Sequence, residues 1–185
     1  SPRIEVIYNR VDTERFKPLA GTPGQPLRIL AVGNHIPGKE PSAIIRAVRD
    51  LPVVLTVVGK GPLSPRIHAL VRDLDIGDKV HFVEAVPNAS IHEYYQRHDL
   101  FCISIRYPGV CIPVLEAMAS GLPIVTNQPL WERAPEVAGD QAELVANTSE
   151  GFALGIQKYL DRPECLAAEG KENRGRIEAI DGRAM

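Results

Sequence analysis

The sequence has few cysteines, no long apolar run and no excess of basic residues. Its three cysteines are an odd number without C-x-x-C spacing, which argues against a disulfide framework or a zinc site and indicates free thiols in a reducing compartment. No apolar run approaches the ~20 residues that a membrane-spanning helix needs, and the N-terminus lacks the basic and then apolar segments of a signal peptide. The 21 Lys and Arg residues against 23 Asp and Glu disfavour a nucleic-acid-binding protein, because such a protein neutralises phosphates with a basic surplus.

The remaining composition is that of a globular protein. Hydrophobic residues make up 44% and charged residues 24% of the 185 positions, which excludes an intrinsically disordered chain. This length fits one domain with a sizeable core. We therefore expect a cytoplasmic domain without a nucleic-acid partner.

Short apolar runs rich in Val and Ile alternate with stretches of helical period. Their nearly continuous hydrophobicity is typical of strands buried on both faces. The predicted strands are Leu27–Gly33, Val53–Gly59, Lys79–Glu84, Leu100–Ile105, Leu122–Thr126 and Ala142–Ala146. The predicted helices are Ser42–Asp50, Leu63–Leu74, Ile91–His98, Val114–Ala119, Gly151–Leu160 and Glu164–Ile180. This alternation predicts an α/β fold, a Rossmann-like doubly wound parallel sheet of about six strands with helices on both faces.

The sequence divides into three regions. Residues 1–26 are predicted to form a connector that ends in a Gly- and Pro-rich stretch, with Ile4–Tyr8 as a candidate edge strand. Residues 27–163 form the predicted Rossmann-like domain, and residues 164–185 a charged helix and a frayed tail. Neither end is expected to belong to the core.

The residues that follow the strands are the candidate ligand site, because open parallel sheets bind ligands at the carboxyl ends of their strands. Pro113 is predicted at the first position of a helix. The amides of Gly109, Val110, Cys111 and Ile112, with that of Val114, would then form an anion site suited to a phosphate. Glu116 would accept hydrogen bonds from ligand hydroxyls such as a ribose diol, and Lys39 would add a positive charge.

Each of these features also has a purely structural interpretation. Gly and Pro after a strand commonly form only the turn, and a glutamate in a first helical turn commonly interacts with the helix dipole. Neither G-x-G-x-x-G nor GxxxxGK[ST] occurs, which disfavours a nicotinamide or Walker-type site. Of the five histidines only His35 is a candidate site residue, and nothing pairs Cys111 with a base.

Six segments in the same order resemble the C-terminal, donor-binding half of a GT-B-fold retaining glycosyltransferase (glycosyltransferase group 1, family 4-like). They are VIYNRVDTERFKPL (6–19), ILAVGNHIPGKEPSAIIRAV (29–48), LTVVGKGP (55–62), DKVHFVEAVPNASIHEYYQRHDLFCI (78–103), GVCIPVLEAMASGLPIV (109–125) and PEVAGDQAELV (135–145). The resemblance implies transfer of a sugar from a nucleotide diphosphate sugar to an acceptor, with retention of anomeric configuration.

The resemblance also implies roles for single residues. Glu116 matches the glutamate that binds the nucleotide ribose, and Lys39 matches the lysine that contacts the donor diphosphate, so these two are the predicted catalytic residues. Gly33 matches the glycine that lets the phosphates approach the first loop. Gly59 and Gly61 match a loop near the nucleoside. Residues 109–112 match the amides around the phosphates and the sugar.

Two positions depart from the family pattern. Pro108 stands where a glutamate contacts the donor sugar, and Asn34, still counted here as a donor-binding residue, stands where an arginine neighbours the lysine. A missing cation removes one or two charge-assisted hydrogen bonds from a bound diphosphate, each worth ~1.5–3 kcal/mol. Arg106 or His35 could compensate by turning inward.

No cofactor is expected, only a nucleotide diphosphate sugar as substrate, and no metal ion is expected because the helix amides and Lys39 would take its place at the diphosphate. The acceptor site would lie in an N-terminal domain absent from this chain, so the isolated domain is expected to be inactive. A role in polysaccharide biosynthesis, and peripheral association of the full-length enzyme with the inner face of the membrane, are family-level expectations. Two alternatives stay open: a non-catalytic binding or regulatory module, and half of a nucleotide-sugar epimerase on the same scaffold.

Overall fold

The computed structural model describes residues 11–19, 21–106, 111–127 and 142–181. The candidate edge strand Ile4–Tyr8 lies outside these residues. In chain order the elements are β1 (Leu27–Val32), α1 (Ser42–Ala47), β2 (Val53–Val58), α2 (Ser64–Asp73), β3 (Val80–Val83), α3 (Ile91–Gln96), β4 (Leu100–Ile103), α4 (Ile112–Ala119), β5 (Ile124–Asn127), β6 (Glu143–Val145), α5 (Ser149–Asp161) and α6 (Glu164–Asp181).

The six strands form one parallel sheet in the order β3-β2-β1-β4-β5-β6. From β1 the chain winds outward through β2 to β3, and it then returns to β4 on the other side of β1. The strand order therefore reverses between β1 and β4, which is where open α/β sheets have their ligand crevice. The predicted fold class is confirmed. Element ends differ by a few residues, most at α1, which ends at Ala47 and not at Asp50.

The core has one layer on each face of the sheet. Helices α1, α2 and α5 cover one face with residues such as Ile45 and Phe152, and α3 and α4 cover the other with residues such as Tyr95 and Leu115. All four of these side chains are essentially inaccessible to solvent. None of the described helices combines the length and the apolar character that crossing a membrane requires.

Both ends of the described chain contribute to this core, contrary to the expectation from sequence. Phe16 is buried beside α3 and α4. In α6 the buried positions are Leu166, Gly170, Asn173 and Ile177, which recur every three or four residues and form one face of the helix. The charged residues between them conceal this period in the sequence.

Arg174 of α6 joins segment 11–19 to α4. Its guanidinium group donates hydrogen bonds to the carbonyl oxygens of Thr13 at 2.9 Å, Phe16 at 2.6 Å and Ala119 at 2.7 Å. One side chain thus satisfies carbonyl groups from two separate segments, including one at the end of α4 where helical carbonyls lack partners. This contact holds segment 11–19 against the face of the sheet that carries α4.

Candidate functional site

A cleft of about 600 Å³ opens at the carboxyl ends of β1, β2 and β3, beside the start of α4. This volume lies within the range of small-molecule sites. The residues that line the cleft are Val32, Gly33, Asn34, Lys39, Val58, Gly59, Lys60, Glu84, Ala85, Val86, Asn88, Ile91, Ile103, Cys111, Ile112, Pro113 and Glu116. The cleft lies at the carboxyl ends of the strands, the location that the sequence analysis predicted for a ligand, and the sheet order shows that the strand order switches there.

Most of the predicted donor-binding residues meet in this cleft. They are Gly33, Asn34, Lys39, Gly59, Cys111, Ile112 and Glu116. Gly61 is not among the lining residues, because it packs against the backbone of His35 so closely that an added Cβ would lie 2.5 Å from the His35 carbonyl oxygen. Its role in the described structure is this close approach. Gly109 and Val110, together with Pro108, lie outside the described residues.

Two glycines shape the wall formed by the first two loops. A Cβ added at Gly33 would meet open space, so a ligand can approach the backbone at that point. Gly59 has φ +136° and lies against the carbonyl group of Gly33, so a side chain there would be strained and would clash. The Gly33 amide donates to Val58 O at 3.0 Å, and the His35 amide to Lys60 O at 3.1 Å, which fixes the two loops side by side.

Two lysines bring positive charge to the cleft. Lys39, at the end of the first loop, is partly buried, and Lys60, directly after β2, is exposed. The sequence analysis missed Lys60, although its position after a strand was the available signal. Because Asn34 stands where the family pattern has an arginine, Lys60 is the additional cation that the structure brings to this wall.

The two residues expected to replace the missing arginine do not line the cleft. His35 is 1% exposed, and its Nδ1 atom lies 2.8 Å from Ser64 Oγ. Burial lowers the pKa of His35, which favours the neutral ring. That suggestion is therefore wrong for His35. Arg106 lines a separate cavity beside Gly38.

The start of α4 offers fewer free amides than expected. The helix begins at Ile112 after Cys111 as N-cap, so Pro113 takes the second and not the first helical position. The Val114 amide donates to the Cys111 carbonyl at 2.9 Å and is not available to a ligand. Since proline has no N–H group, Ile112 supplies the one amide without an intrahelical partner among the helical positions 112–114.

Glu116 points into the cleft from α4 and is held by a buried tyrosine. The Tyr95 hydroxyl donates a hydrogen bond of 2.7 Å to Glu116 Oε2. The ring of Tyr95 packs edge-on against Phe16, with 5.6 Å between centroids, and against Phe101 at 5.8 Å. These contacts fix the hydroxyl, which in turn fixes the carboxylate.

The electrostatics of Glu116 follow from this position. Partial burial raises its pKa, while the hydrogen bond from Tyr95 and the charge of Arg15 act in the opposite direction. The much deeper burial of Tyr95 itself, together with the nearby carboxylate, raises the pKa of the Tyr95 hydroxyl well above its ordinary value. The Tyr95 hydroxyl therefore stays protonated and donates its hydrogen bond to Glu116. The sequence analysis missed it, since a tyrosine within a helical stretch resembles a core residue.

The far end of the cleft carries two further polar residues that the sequence analysis missed. Glu84 and Asn88 are exposed and line the cleft on the loop between β3 and α3. Their signal was again their position after a strand. A carboxylate and an amide at this end can form hydrogen bonds with a ligand that extends beyond Glu116.

The acidic and thiol groups of the described residues are the candidates for metal binding and for nucleophilic chemistry. No group of three or more His, Cys, Asp or Glu among them could hold a metal ion. Asp73, the last residue of α2, and Asp75, which follows it before β3, form an Asp-x-Asp sequence, but both are exposed and lie at the amino ends of the strands, opposite the cleft. Burial raises the pKa of the Cys111 thiol, which disfavours the nucleophilic thiolate.

The sequence is similar to a known family and to proteins of that family. The family model described as "Glycosyl transferases group 1" matches residues 12–176. The chain is 28% identical to D-inositol 3-phosphate glycosyltransferase 2 of Catenulispora acidiphila, with 91% of this chain and 45% of that protein covered. It is 30% identical to MMP alpha-(1->4)-mannosyltransferase of Mycolicibacterium hassiacum, with 96% and 44% covered. The chain thus spans less than half the length of these two relatives.

A solved structure shares the fold. The C-terminal domain of a glycosyl transferase group 1 family protein from Francisella tularensis superposes with a TM-score of 0.78 at 18% identity, covering 91% of this chain and 97% of that one. At this identity the likeness concerns the fold alone. The family model, by contrast, matches most of the sequence, including the cleft-lining loops. The chain therefore belongs to the glycosyl transferases of group 1.

Proposed function

We propose that this chain is the donor-binding part of a glycosyltransferase that uses a nucleotide diphosphate sugar. The observation that carries the proposal is one cleft in which Lys39 and Lys60 lie with Glu116 and the first amide of α4. Cations and a helix start suit a diphosphate, and a carboxylate suits a diol. The two relatives, a glycosyltransferase and a mannosyltransferase by name, support the same class of reaction.

In this proposal the diphosphate binds between the first loop and the start of α4. Lys39 and Lys60 neutralise its charge, and the Ile112 amide donates one hydrogen bond. During transfer the bond between the sugar and the distal phosphate breaks, and negative charge accumulates on the departing diphosphate. Cations already in place stabilise that charge without reorganisation. The positive charge of Lys60 compensates in part for the arginine that Asn34 replaces.

The ribose binds on the opposite wall. The carboxylate of Glu116 accepts hydrogen bonds from the ribose hydroxyls, and the Tyr95 hydroxyl holds it in place through Oε2. This role requires the ionised form of Glu116. Because burial raises its pKa, protonation begins at a higher pH than for an exposed glutamate. The base would then extend toward Glu84 and Asn88.

Transfer itself needs an acceptor and the groups that position it. We propose that these belong to a second domain, as the coverage of less than half of the two relatives suggests. The chain alone would then bind donor without transferring sugar. A non-catalytic nucleotide-binding module is the second candidate, and two observations favour it: Asn34 in place of a cation, and the loss of the Val114 amide to Cys111.

The proposal is tested by thermal unfolding in the presence of uridine and guanosine diphosphates. A ligand at about 100 times its Kd adds about 2.7 kcal/mol to the stability, which raises Tm by several degrees. The Lys39→Ala variant should lose more affinity for the diphosphate than for the nucleoside, and Glu116→Ala should lose affinity for both. Lys171→Ala, an exposed change on α6, is the matched control.

Two results would count against the proposal. An absence of any shift with either diphosphate at millimolar concentration, in a well-folded sample, would favour a module that does not bind nucleotide. Equal losses for diphosphate and nucleoside in Lys39→Ala would remove the phosphate role of that lysine.

A further inference from the structure

His35 joins the first two loops of the donor cleft from inside the protein. Its amide donates to the Lys60 carbonyl at 3.1 Å, and its own carbonyl accepts a hydrogen bond from the Leu63 amide at 3.0 Å. Its ring Nδ1 atom lies 2.8 Å from Ser64 Oγ, which also accepts the Gly61 amide at 3.0 Å. One residue of the first loop thus holds the turn from Lys60 to Ser64, the Lys60 turn.

The side chain of His35 supplies the part of this connection that depends on the sequence. The two backbone hydrogen bonds do not depend on which side chain stands at position 35, whereas the contact with Ser64 requires a polar ring atom. Because Ser64 is the first residue of α2, this contact joins the first loop, the Lys60 turn and the start of α2 at one point. Substitution at position 64 can therefore remove the contact and leave the backbone bonds in place.

Packing alone does not explain a histidine at this position. His35 is 1% exposed, and its Nε2 atom is shielded from solvent and has no hydrogen-bond partner among the described residues. A buried polar atom without a partner is unfavourable, and an apolar side chain of similar volume would fill the same space without that disadvantage. The bond from the ring to Ser64 is what the histidine contributes and an apolar side chain would not.

The Lys60 turn carries the cation that stands in for the arginine of the family pattern. Lys60 lines the cleft, is exposed, and forms no ion pair with another described residue. Its ammonium group lies at the end of a flexible stem of four carbons. The volume that this charge can reach is therefore set by the backbone of the turn, and a displaced turn would displace the charge from the diphosphate.

We propose that His35 is a positioning residue for the donor diphosphate, because its contact with Ser64 holds the Lys60 turn so that Lys60 faces the first loop across the cleft. This inference rests on the function proposed above. His35 does not touch the donor and adds no charge of its own to the cleft. It acts through Lys60, so its contribution to binding should exist only while Lys60 carries its ammonium group.

The test is a double-mutant cycle between Ser64 and Lys60, measured by calorimetric titration of the 185-residue chain with uridine and guanosine diphosphates. Ser64→Ala should weaken binding of the preferred diphosphate by about threefold to tenfold, which corresponds to one lost hydrogen bond. In a Lys60→Ala background the same substitution should change the affinity by less than about twofold, because the turn no longer carries a charge. The affinity for the corresponding nucleoside should stay within about twofold in Ser64→Ala.

Two further variants separate positioning from a general structural effect. Ser149→Ala is the matched control, since Ser149 is also the first residue of a helix, donates to Glu150 and does not line the cleft. It should leave the diphosphate affinity within about twofold of the wild-type value. His35→Leu removes the unpartnered Nε2 atom together with the contact to Ser64. It should lose as much diphosphate affinity as Ser64→Ala, while its midpoint of urea unfolding stays at or above that of the wild type.

Several results would overturn the inference. It is wrong if Ser64→Ala or a folded His35→Leu binds diphosphate like the wild type, or if Ser64→Ala weakens binding equally with and without the Lys60 ammonium group. Equal losses for diphosphate and nucleoside would also contradict it, because the contact would then have a structural role. If His35→Leu does not fold, the cycle with Ser64→Ala decides by itself. A wild-type chain that binds neither diphosphate would overturn the proposed function as well, whereas diphosphate binding with an additive cycle would overturn this inference alone.

Discussion

The hydrogen bond from Tyr95 to Glu116 can be removed with little other change by the substitution Tyr95→Phe. The ring keeps its contacts with Phe16 and Phe101, so only the hydroxyl and its 2.7 Å bond are lost. A hydrogen bond to a charged group contributes ~1.5–3 kcal/mol. Glu116 lines an open cleft and can regain water, so we expect a net loss of stability of about 1 kcal/mol, or about 2–4 °C in Tm.

The same substitution has a predictable effect on ionisation. The hydrogen bond stabilises the ionised carboxylate and therefore lowers the pKa of Glu116, against the larger effect of burial. Without it the pKa of Glu116 must rise above its wild-type value. The stability difference between wild type and variant should then be largest at neutral pH. It should shrink as pH falls through the two pKa values, because the neutral carboxyl group gains less from the tyrosine.

Two measurements check this reasoning. Carbon-13 NMR titration of the Glu116 carboxyl group gives its pKa in each protein, and urea unfolding at neutral and acid pH gives the stability difference. Tyr94→Phe removes a hydroxyl from the same helix without removing the bond to Glu116, and it serves as the control. A Glu116 pKa that stays unchanged or falls in Tyr95→Phe would refute the assigned role of the hydrogen bond.

Three further predictions follow from single features. Gly59→Ala should lower the free energy of unfolding by about 2–4 kcal/mol, because it combines a positive φ with a clash against the backbone. An added Cβ at Gly77 meets open space, so Gly77→Ala should change this free energy by no more than about 0.5 kcal/mol in chemical denaturation. Ile177→Ala should lower the free energy of unfolding by about 2–5 kcal/mol, because Ile177 is only 3% exposed. Leu154 is 74% exposed, so Leu154→Ala should leave this free energy nearly unchanged. Equal effects of the two substitutions would contradict the packing of α6. The affinity for a nucleoside diphosphate should fall on acidification, and it should begin to fall at a higher pH than for an exposed glutamate, because Glu116 must be ionised and burial raises its pKa. Calorimetric titrations at several pH values measure this affinity. An affinity that does not change with pH would contradict the ionised role of Glu116.

The fold was largely predictable because its strands are buried on both faces. Runs such as Val53–Val58 read as continuous apolar segments, and their alternation with helical stretches leaves few topologies available. The ends were less predictable. The buried face of α6 consists of Leu166, Gly170, Asn173 and Ile177, of which only two are hydrophobic, so the sequence resembles a solvated helix. Its burial depends on contact with α4 and segment 11–19.

The location of the cleft was predictable, but its detailed chemistry was not. Lys39 and Glu116 follow from the motifs and from the rule that ligands bind at strand ends. Tyr95 was missed because its contact with Glu116 joins two helices that are distant in sequence, and Lys60 was missed although it directly follows a strand. The start of α4 shows the same limit, since whether the Val114 amide is free depends on a hydrogen bond to Cys111 that shifts the helix start by one residue.

The sequence by itself determined the order of strands and helices along the chain and the family to which the chain belongs. These properties follow from hydrophobic period and from motifs, which are local in the chain. Only the tertiary structure decided which polar groups are shielded from water and which side chains meet. In the tertiary structure His35 is buried, Lys60 lines the cleft and the Tyr95 hydroxyl donates to Glu116. The sequence does not show these contacts, because burial and charge pairing depend on distances between segments that are far apart in sequence.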